Sequence, residues 1–222
     1  MERRLREIFE RLLDHFGPLH WWPAETPFEV VIGAFLTQNT AWRNVEVAID
    51  ALREAGALSP EGLAELSTEE LQQCIRPAGY FRQKAERLHG FVSYLHAEHC
   101  GNLQRLLSGP LEETRRELLS LKGIGPETAD SILLYAGNYP SFVVDAYTRR
   151  LFVRLGILQG DEDYETIRRL FMAQLPHGVD LYNEYHALIV EECKTFCLKR
   201  KPLCVPCPLN SICPAASSFG LT

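Results

Sequence analysis

Cys197, Cys204, Cys207 and Cys213 follow one another with the spacing C-x6-C-x2-C-x5-C in the run CLKRKPLCVPCPLNSIC. Thiolates at such close, turn-rich intervals can converge on one metal centre, which would then organise a segment too short to fold alone. A zinc ribbon ordinarily shows two separate C-x2-C knuckles. Here one such pair has longer gaps on either side, so the spacing favours a [4Fe-4S] cluster over a single tetrahedral zinc. The competing reading is a few free or disulfide-linked cysteines. The chain has seven cysteines and opens with the charged run MERRLRE instead of a secretory leader, so the expected compartment is a reducing cytoplasm, where disulfides are rare. Cys74, Cys100 and Cys193 have no ligand spacing and are expected to pack as small apolar residues. Lys199, Arg200 and Lys201 fill the loop between the first two cysteines, where a stiffened turn would present three cations to phosphates.

The second stretch with chemical content is LKGIGPETADSILLYA, residues 121 to 136. Gly123 and Gly125 allow a tight turn between two helices, Ile124 anchors that turn in the core, and the second helix begins at Pro126. Backbone amides of such a turn, with the positive end of the helix dipole, can hold one DNA phosphate without reading sequence. A lone G-x-G is equally the corner of two ordinary helices. About twenty residues further on, SFVVDAYTRR places Asp145 after an apolar run and before a new helix. Alone, Asp145 reads as a helix cap; beside a phosphate-binding turn it is a candidate catalytic carboxylate.

The elements that must carry these groups are helical. Leu5, Ile8, Phe9, Leu12, Leu13 and Phe16 recur at three-and-four spacing, and the pattern returns over residues 41–55, 83–95, 113–121, 126–135 and 181–192. Ser59-Pro60, Ser67-Thr68-Glu69-Glu70 and Gly125-Pro126 mark helix starts, and no strand pair is convincing. The chain of 222 residues is 46% hydrophobic, with no apolar run of membrane-spanning length. Its net charge of −6 speaks against a nucleic-acid partner only on average, because basic residues gather at Arg76 to Arg87, Arg149 to Arg154 and Lys194 to Lys201.

Hairpin, aspartate and cysteine quartet, in that order, resemble the endonuclease III superfamily of helix-hairpin-helix DNA glycosylases. FLTQNTAW (35 to 42) and RPAGYFRQKAERL (76 to 88) look like that family's two base-replacing loops, so the resemblance covers essentially the whole chain. It implies an all-α fold: a six-helix barrel domain over residues 20–139, a [4Fe-4S] cluster domain from residues 1–19 and 140–222, and a DNA cleft between them. It also implies a monomeric, cytoplasmic, nucleoid-associated enzyme of base excision repair acting on double-stranded DNA. Gln38 would fill the hole left by the flipped base, Tyr80 would wedge the opposite strand, and Gly123, Gly125 and Thr128 would hold the backbone.

Bifunctional members of that family carry a lysine in the second hairpin helix, whose amine attacks the sugar and permits strand cleavage. This chain has Glu127 there. Lys122 stands on the other side of the turn, so the reading is a monofunctional enzyme with water as nucleophile and Asp145 stabilising the developing sugar cation. Trp21, Trp22 and Trp42 lie close in sequence and, if not simply core, would form an aromatic wall suited to a cationic alkylated base, at about 0.5 to 2 kcal/mol per good cation-π contact. HWWP, LTQNT and GIGPETAD are most similar to the 3-methyladenine DNA glycosylase branch. A glycosylase for oxidised pyrimidines is disfavoured by Glu127, and an A/G-mismatch adenine glycosylase by Gly33, which stands where that family's catalytic glutamate would align. A non-catalytic DNA-binding protein that keeps hairpin and cluster as scaffold is disfavoured by Asp145. His186 reads as a packed surface or interface histidine.

Overall fold

A computed structural model describes residues 1–19 and 24–219. In chain order its helices are α1 (Glu2–Phe16), α2 (Pro27–Leu36), α3 (Trp42–Glu54), α4 (Pro60–Glu65), α5 (Thr68–Cys74), α6 (Phe81–His99), α7 (Leu103–Leu106), α8 (Leu111–Ser120), α9 (Pro126–Ser131), α10 (Ala146–Arg154), α11 (Tyr164–Gln174), α12 (Val179–Thr195) and α13 (Ala216–Phe219). No strand occurs among the described residues. The chain divides into two units, one of residues 22–139 and one that joins residues 1–21 to 140–222.

The expected helix starts are made by the expected side chains. Ser59 Oγ accepts from the Gly62 amide at 3.0 Å, and Ser67 and Glu70 complete a reciprocal capping box. Pro126 opens α9, where its missing amide proton costs nothing. Helix α2 gives no periodic signal because PFEVVIGAFL is buried on all sides; Pro27 and the Thr26 hydroxyl, which accepts from the Glu29 amide at 3.1 Å, fix where it begins.

Around α2 the unit of residues 22–139 builds its core, with Val31, Ile32, Phe35 and Leu36 against Val45, Leu52, Leu88, Phe91 and Ile132. Ile124 joins the same cluster, so the turn between α8 and α9 is anchored as its sequence predicts. The two helices flanking that turn are tied by a buried bidentate pair, Arg115 to Asp130, at 2.9 and 3.0 Å. Beyond α9 the backbone widens into a π turn, Ile132–Ala136, and the single Tyr139 hydroxyl proton is shared between the carbonyls of Leu107 and Gly109, at 2.7 Å each.

One buried cation organises the loops of this unit. Lys84, 2% exposed on α6, donates from Nζ to Leu36 O (2.8 Å), Thr40 Oγ1 (2.9 Å) and Ala78 O (2.9 Å). It therefore joins the turn after α2 to the 3-10 turn Arg76–Ala78, and the Thr40 hydroxyl donates to the same Ala78 carbonyl. Both connections contain a non-glycine residue in the left-handed region, Asn39 (φ 53°) and Tyr80 (φ 46°), conformations that persist only when their surroundings impose them.

The second unit packs the apolar stripe of α1 (Leu5, Ile8, Leu12) beside α12, and the buried Tyr185 hydroxyl donates to Leu5 O at 2.8 Å. Phe142 and Phe171 stack at 4.2 Å, with Phe152 and Tyr185 edge-on around them.

Burial, and then the nearby Arg87, lower Lys84 to a pKa of about 8 from a usual value near 10.5. Between those values the unfolded chain holds a proton that the folded one lacks, so stability rises with pH through this window. Urea unfolding of Lys84→Met at pH 7.5 to 10.5 should show that rise flattened, with a loss of about 1 to 3 kcal/mol at neutral pH from the carbonyls left without a donor.

Candidate functional site

The turn between α8 and α9 is a polar junction. Gly123 has φ 92°, and a Cβ there would overlap the Arg87 stem, so the position requires glycine on two grounds. The Gln38 amide lies across the turn: Nε2 donates to Gly123 O (3.0 Å) and to Thr128 Oγ1 (3.0 Å), while Oε1 accepts from Arg87 Nη1 (2.9 Å). The sequence reading assigns Gln38 to the hole left by a flipped base. Its side chain faces the hairpin, because a carbonyl and a hydroxyl as acceptors and a guanidinium as donor together match an amide. Tyr80, by contrast, is 68% exposed. Glu127 is exposed in the first turn of α9, and Lys122 pairs with Glu86 at 2.7 Å on the surface.

Asp145 lies in the other unit, at the N-cap of α10. Its Oδ1 accepts from the Thr148 amide (2.7 Å) and hydroxyl (2.9 Å), so the helix-cap expectation is met. Capping occupies one oxygen only. The other, Oδ2, lies 3.5 Å from Nε2 of His186, a buried residue of α12. Burial alone would raise the Asp145 carboxyl, but the hydrogen bond and charge of His186, with the two Thr148 donors, outweigh it and hold the group below the ordinary aspartate value. His186 is therefore no surface histidine; only the fold brings it to Asp145, 41 residues away in sequence.

Cys197, Cys204, Cys207 and Cys213 line a single pocket with Arg154 and Glu192. Two guanidinium groups of α10 brace its rim: Arg150 donates to Cys197 O (2.8 Å) and Cys193 O (3.1 Å), and Arg154 to Leu198 O (2.8 Å) and Cys197 Sγ (3.1 Å). The Leu209 amide donates to Cys207 Sγ at 3.4 Å. The Cys207 thiol donates to the buried Glu192 carboxylate at 3.0 Å, and Cys213 faces the Arg154 carbonyl. In this arrangement no three His, Cys, Asp or Glu groups among the described residues are close enough to hold one metal ion. A four-iron cluster makes a different demand, one thiolate to each iron, so its ligands must line a pocket and need not meet at a point; the all-sulfur donor set and its N–H···S bonds fit such a group. Burial pushes Glu192 up to about 7 against the pull of Cys207. Cys193 is buried and Cys74 packs half-buried against the core, as expected, but Cys100 is exposed in a left-handed turn, which corrects its reading as a packed apolar residue. Lys199, Arg200 and Lys201 are all exposed. Trp42 is half-buried against the core and donates to Glu46 at 2.9 Å; Trp21 and Trp22 lie outside the described residues.

The profile of the HhH-GPD superfamily of base excision DNA repair proteins matches residues 32–177. The chain belongs to that superfamily. Like its relatives, this HhH-GPD protein is similar over nearly its full length to a Methanocaldococcus jannaschii protein named "Putative DNA repair glycosylase" (46% identity, 93% of this chain and 94% of that one). It is also similar to endonuclease III of Thermotoga maritima (32% identity, 94% and 92%). The solved structure of a non-covalent endonuclease III-DNA complex shares its fold (TM-score 0.86, 23% identity, 100% and 99% of the chains). The H. pylori 3-methyladenine DNA glycosylase bound to 1,N6-ethenoadenine follows at TM-score 0.71 and 30% identity, covering 87% of this chain and 95% of that one. The all-α helix-hairpin-helix glycosylase fold expected from the motifs is thus the fold observed, and the HhH-GPD chain is a base excision repair DNA glycosylase by family.

Glu192, Lys84 and Arg87, and the Asp145 partner of His186, escaped sequence reading because each contact joins residues separated in sequence. The one available signal was the pair of cations at 84 and 87, one turn apart on a helix with apolar Ala85 and Leu88.

Because its folded pKa is depressed, Asp145 contributes stability that is present above its unfolded value near 4 and is lost as pH falls through the folded value. Unfolding followed from pH 6 to pH 2.5 should show this acid-side loss in the native chain and a flatter profile in Asp145→Asn. Asp145→Ala should cost about 1 kcal/mol at neutral pH, as expected for a lost N-cap.

Proposed function

We propose that this chain is a monofunctional DNA N-glycosylase that hydrolyses the bond between deoxyribose and an alkylated, 3-methyladenine-type base in double-stranded DNA. The observation that carries the reading is Glu127. An exposed carboxylate stands in the first turn of α9, where the lyase members of the family have an amine, and a carboxylate cannot form a Schiff base. Water is then the nucleophile. Asp145, with Oδ1 bonded by Thr148, Oδ2 facing His186 and its ionised form favoured by both, would stabilise the sugar cation and orient or deprotonate the water.

The alkylated-base assignment draws support from the 30% identity to the 3-methyladenine glycosylase. A cationic base is already a good leaving group and asks little of a general acid. Trp42, with Trp21 and Trp22, supplies the aromatic faces that favour a cation. The amides around Gly123 and Gly125, with Thr128 and Lys199 to Lys201, hold DNA phosphates, Tyr80 enters the duplex, and the enzyme acts as a monomer. Residues 22–139 form the hairpin-bearing barrel and the remaining residues the cluster domain. Cys197, Cys204, Cys207 and Cys213 would hold a [4Fe-4S] cluster, which supplies redox-capable iron and a fixed anchor for the basic loop. A second reading, an endonuclease III-type activity on oxidised pyrimidines, is favoured by the 32% identity to the Thermotoga maritima enzyme.

Purified protein incubated with methylated DNA should release 3-methyladenine, identified by mass spectrometry, and leave abasic strands that break only on alkali. Borohydride should trap no protein-DNA adduct. Release confined to oxidised pyrimidines, or a trapped adduct, would transfer the assignment to the second reading. Asp145→Asn should reduce base release at least a hundredfold with DNA affinity kept, which gel-shift and single-turnover assays separate.

Protein prepared without oxygen should be yellow-brown and contain about four irons and four sulfides per chain. Zinc in their place would remove the cluster from the account.

A further inference from the structure

We propose that Arg87 is a positioning residue that latches Gln38 onto the hairpin, so that Gln38 enters a vacated base position only after leaving this latch. The inference rests on the glycosylase reading above, in which the turn after α2 and the hairpin both meet DNA. It starts from the hydrogen-bonding capacity of one amide. Both protons of Gln38 Nε2 are spent, on Gly123 O and Thr128 Oγ1, and its Oε1 is held by the Arg87 guanidinium. A glutamine so engaged has no donor left for an unpaired base. Two of its three partners are the hairpin itself.

Arg87 acts on both sides of the junction. Its head binds Gln38 at 2.9 Å, and its Cγ and Cδ fill the space beside Gly123 that a Cβ would need. Lys84, one turn earlier on α6, fixes the same loop from behind through Leu36 O and Thr40 Oγ1. The loop backbone is therefore held in place whether or not the Gln38 side chain swings out, and the side chain alone has to move. Of its three bonds the one to Arg87 is charge-assisted, and hydrogen bonds to charged groups are the stronger class. Arg87 thereby sets the threshold for insertion. Undamaged DNA, whose bases resist unstacking, leaves Gln38 latched. A weakly stacked lesion opens the hole that repays the three bonds.

Arg87→Met keeps the stem against Gly123 and removes only the guanidinium. With a duplex carrying 2-aminopurine beside a normal base pair, this variant should raise the inserted population that the fluorescence reports about tenfold over the wild type, the factor expected for one charge-assisted hydrogen bond. Adding Gln38→Ala should abolish the increase, leaving the double variant equal to Gln38→Ala alone. Arg87→Lys, which cannot reproduce the planar fork, should fall between. An unchanged signal in Arg87→Met, or the same increase with Gln38 absent, overturns the latch. The glycosylase reading is decided separately by base release from methylated DNA by the wild type: failure there with a positive fluorescence result would discard the enzyme and keep the latch. Matching circular dichroism and unfolding midpoints in all variants exclude misfolding as the cause.

Discussion

The ammonium of Lys84 is the constraint on which one whole end of the residue 22–139 unit depends. An amine taken out of water must find acceptors, and three oxygens from two separate connections converge on it. Meeting that demand fixes the turn after α2 and the turn before α6 at one distance from each other. Left-handed backbone at Asn39 and Tyr80 is tolerated because the ends of each turn are already pinned. The same helix then offers Arg87 to Gln38 and Gly123, so that three connections hang on a single rigid rod.

The unit that contains Asp145 solves a related problem with opposite charge. The buried Asp145 carboxylate meets His186 and the amide and hydroxyl of Thr148, and these stabilise its ionised form where burial would not. His186 comes from a different helix to face the second oxygen. Likewise the cysteine loop depends on α10, whose Arg150 and Arg154 satisfy the Cys193 carbonyl in the last turn of α12 and the Cys197 and Leu198 carbonyls just beyond it. The loop is thus built on a prepared base whatever its sulfurs hold.

Local chemistry was legible in the sequence wherever cause and effect are neighbours. Ser59, Ser67 and Pro126 begin helices by contacts within three residues, and the stripes of α1 and α12 announce a buried face. The motifs around Gly123 and Asp145 sufficed for the family. Legibility failed for α2, whose uniform burial erases periodicity, and for side chains whose partners lie far along the chain. Gln38 is the clearest instance: its direction is set by Arg87 and the hairpin, 49 and 85 residues away. The opposite error occurred at Cys100, where a residue type that usually packs is exposed because a left-handed turn at the end of α6 carries it outward.

The unit that holds the cysteines is assembled from both ends of the chain, with the other unit inserted between them. This arrangement imposes a timetable on the ribosome. The Tyr185 hydroxyl bonds to Leu5 across 180 residues of sequence. At a synthesis rate of roughly 5–20 residues per second, the apolar stripe of α1 waits on the order of ten to forty seconds for its partner helix to emerge. The inserted unit closes its core from its own residues and can finish in that interval. The fifteen residues of α1 thus wait for their place, and until then the charged Arg3, Arg6 and Glu10 beside the stripe keep it hydrated.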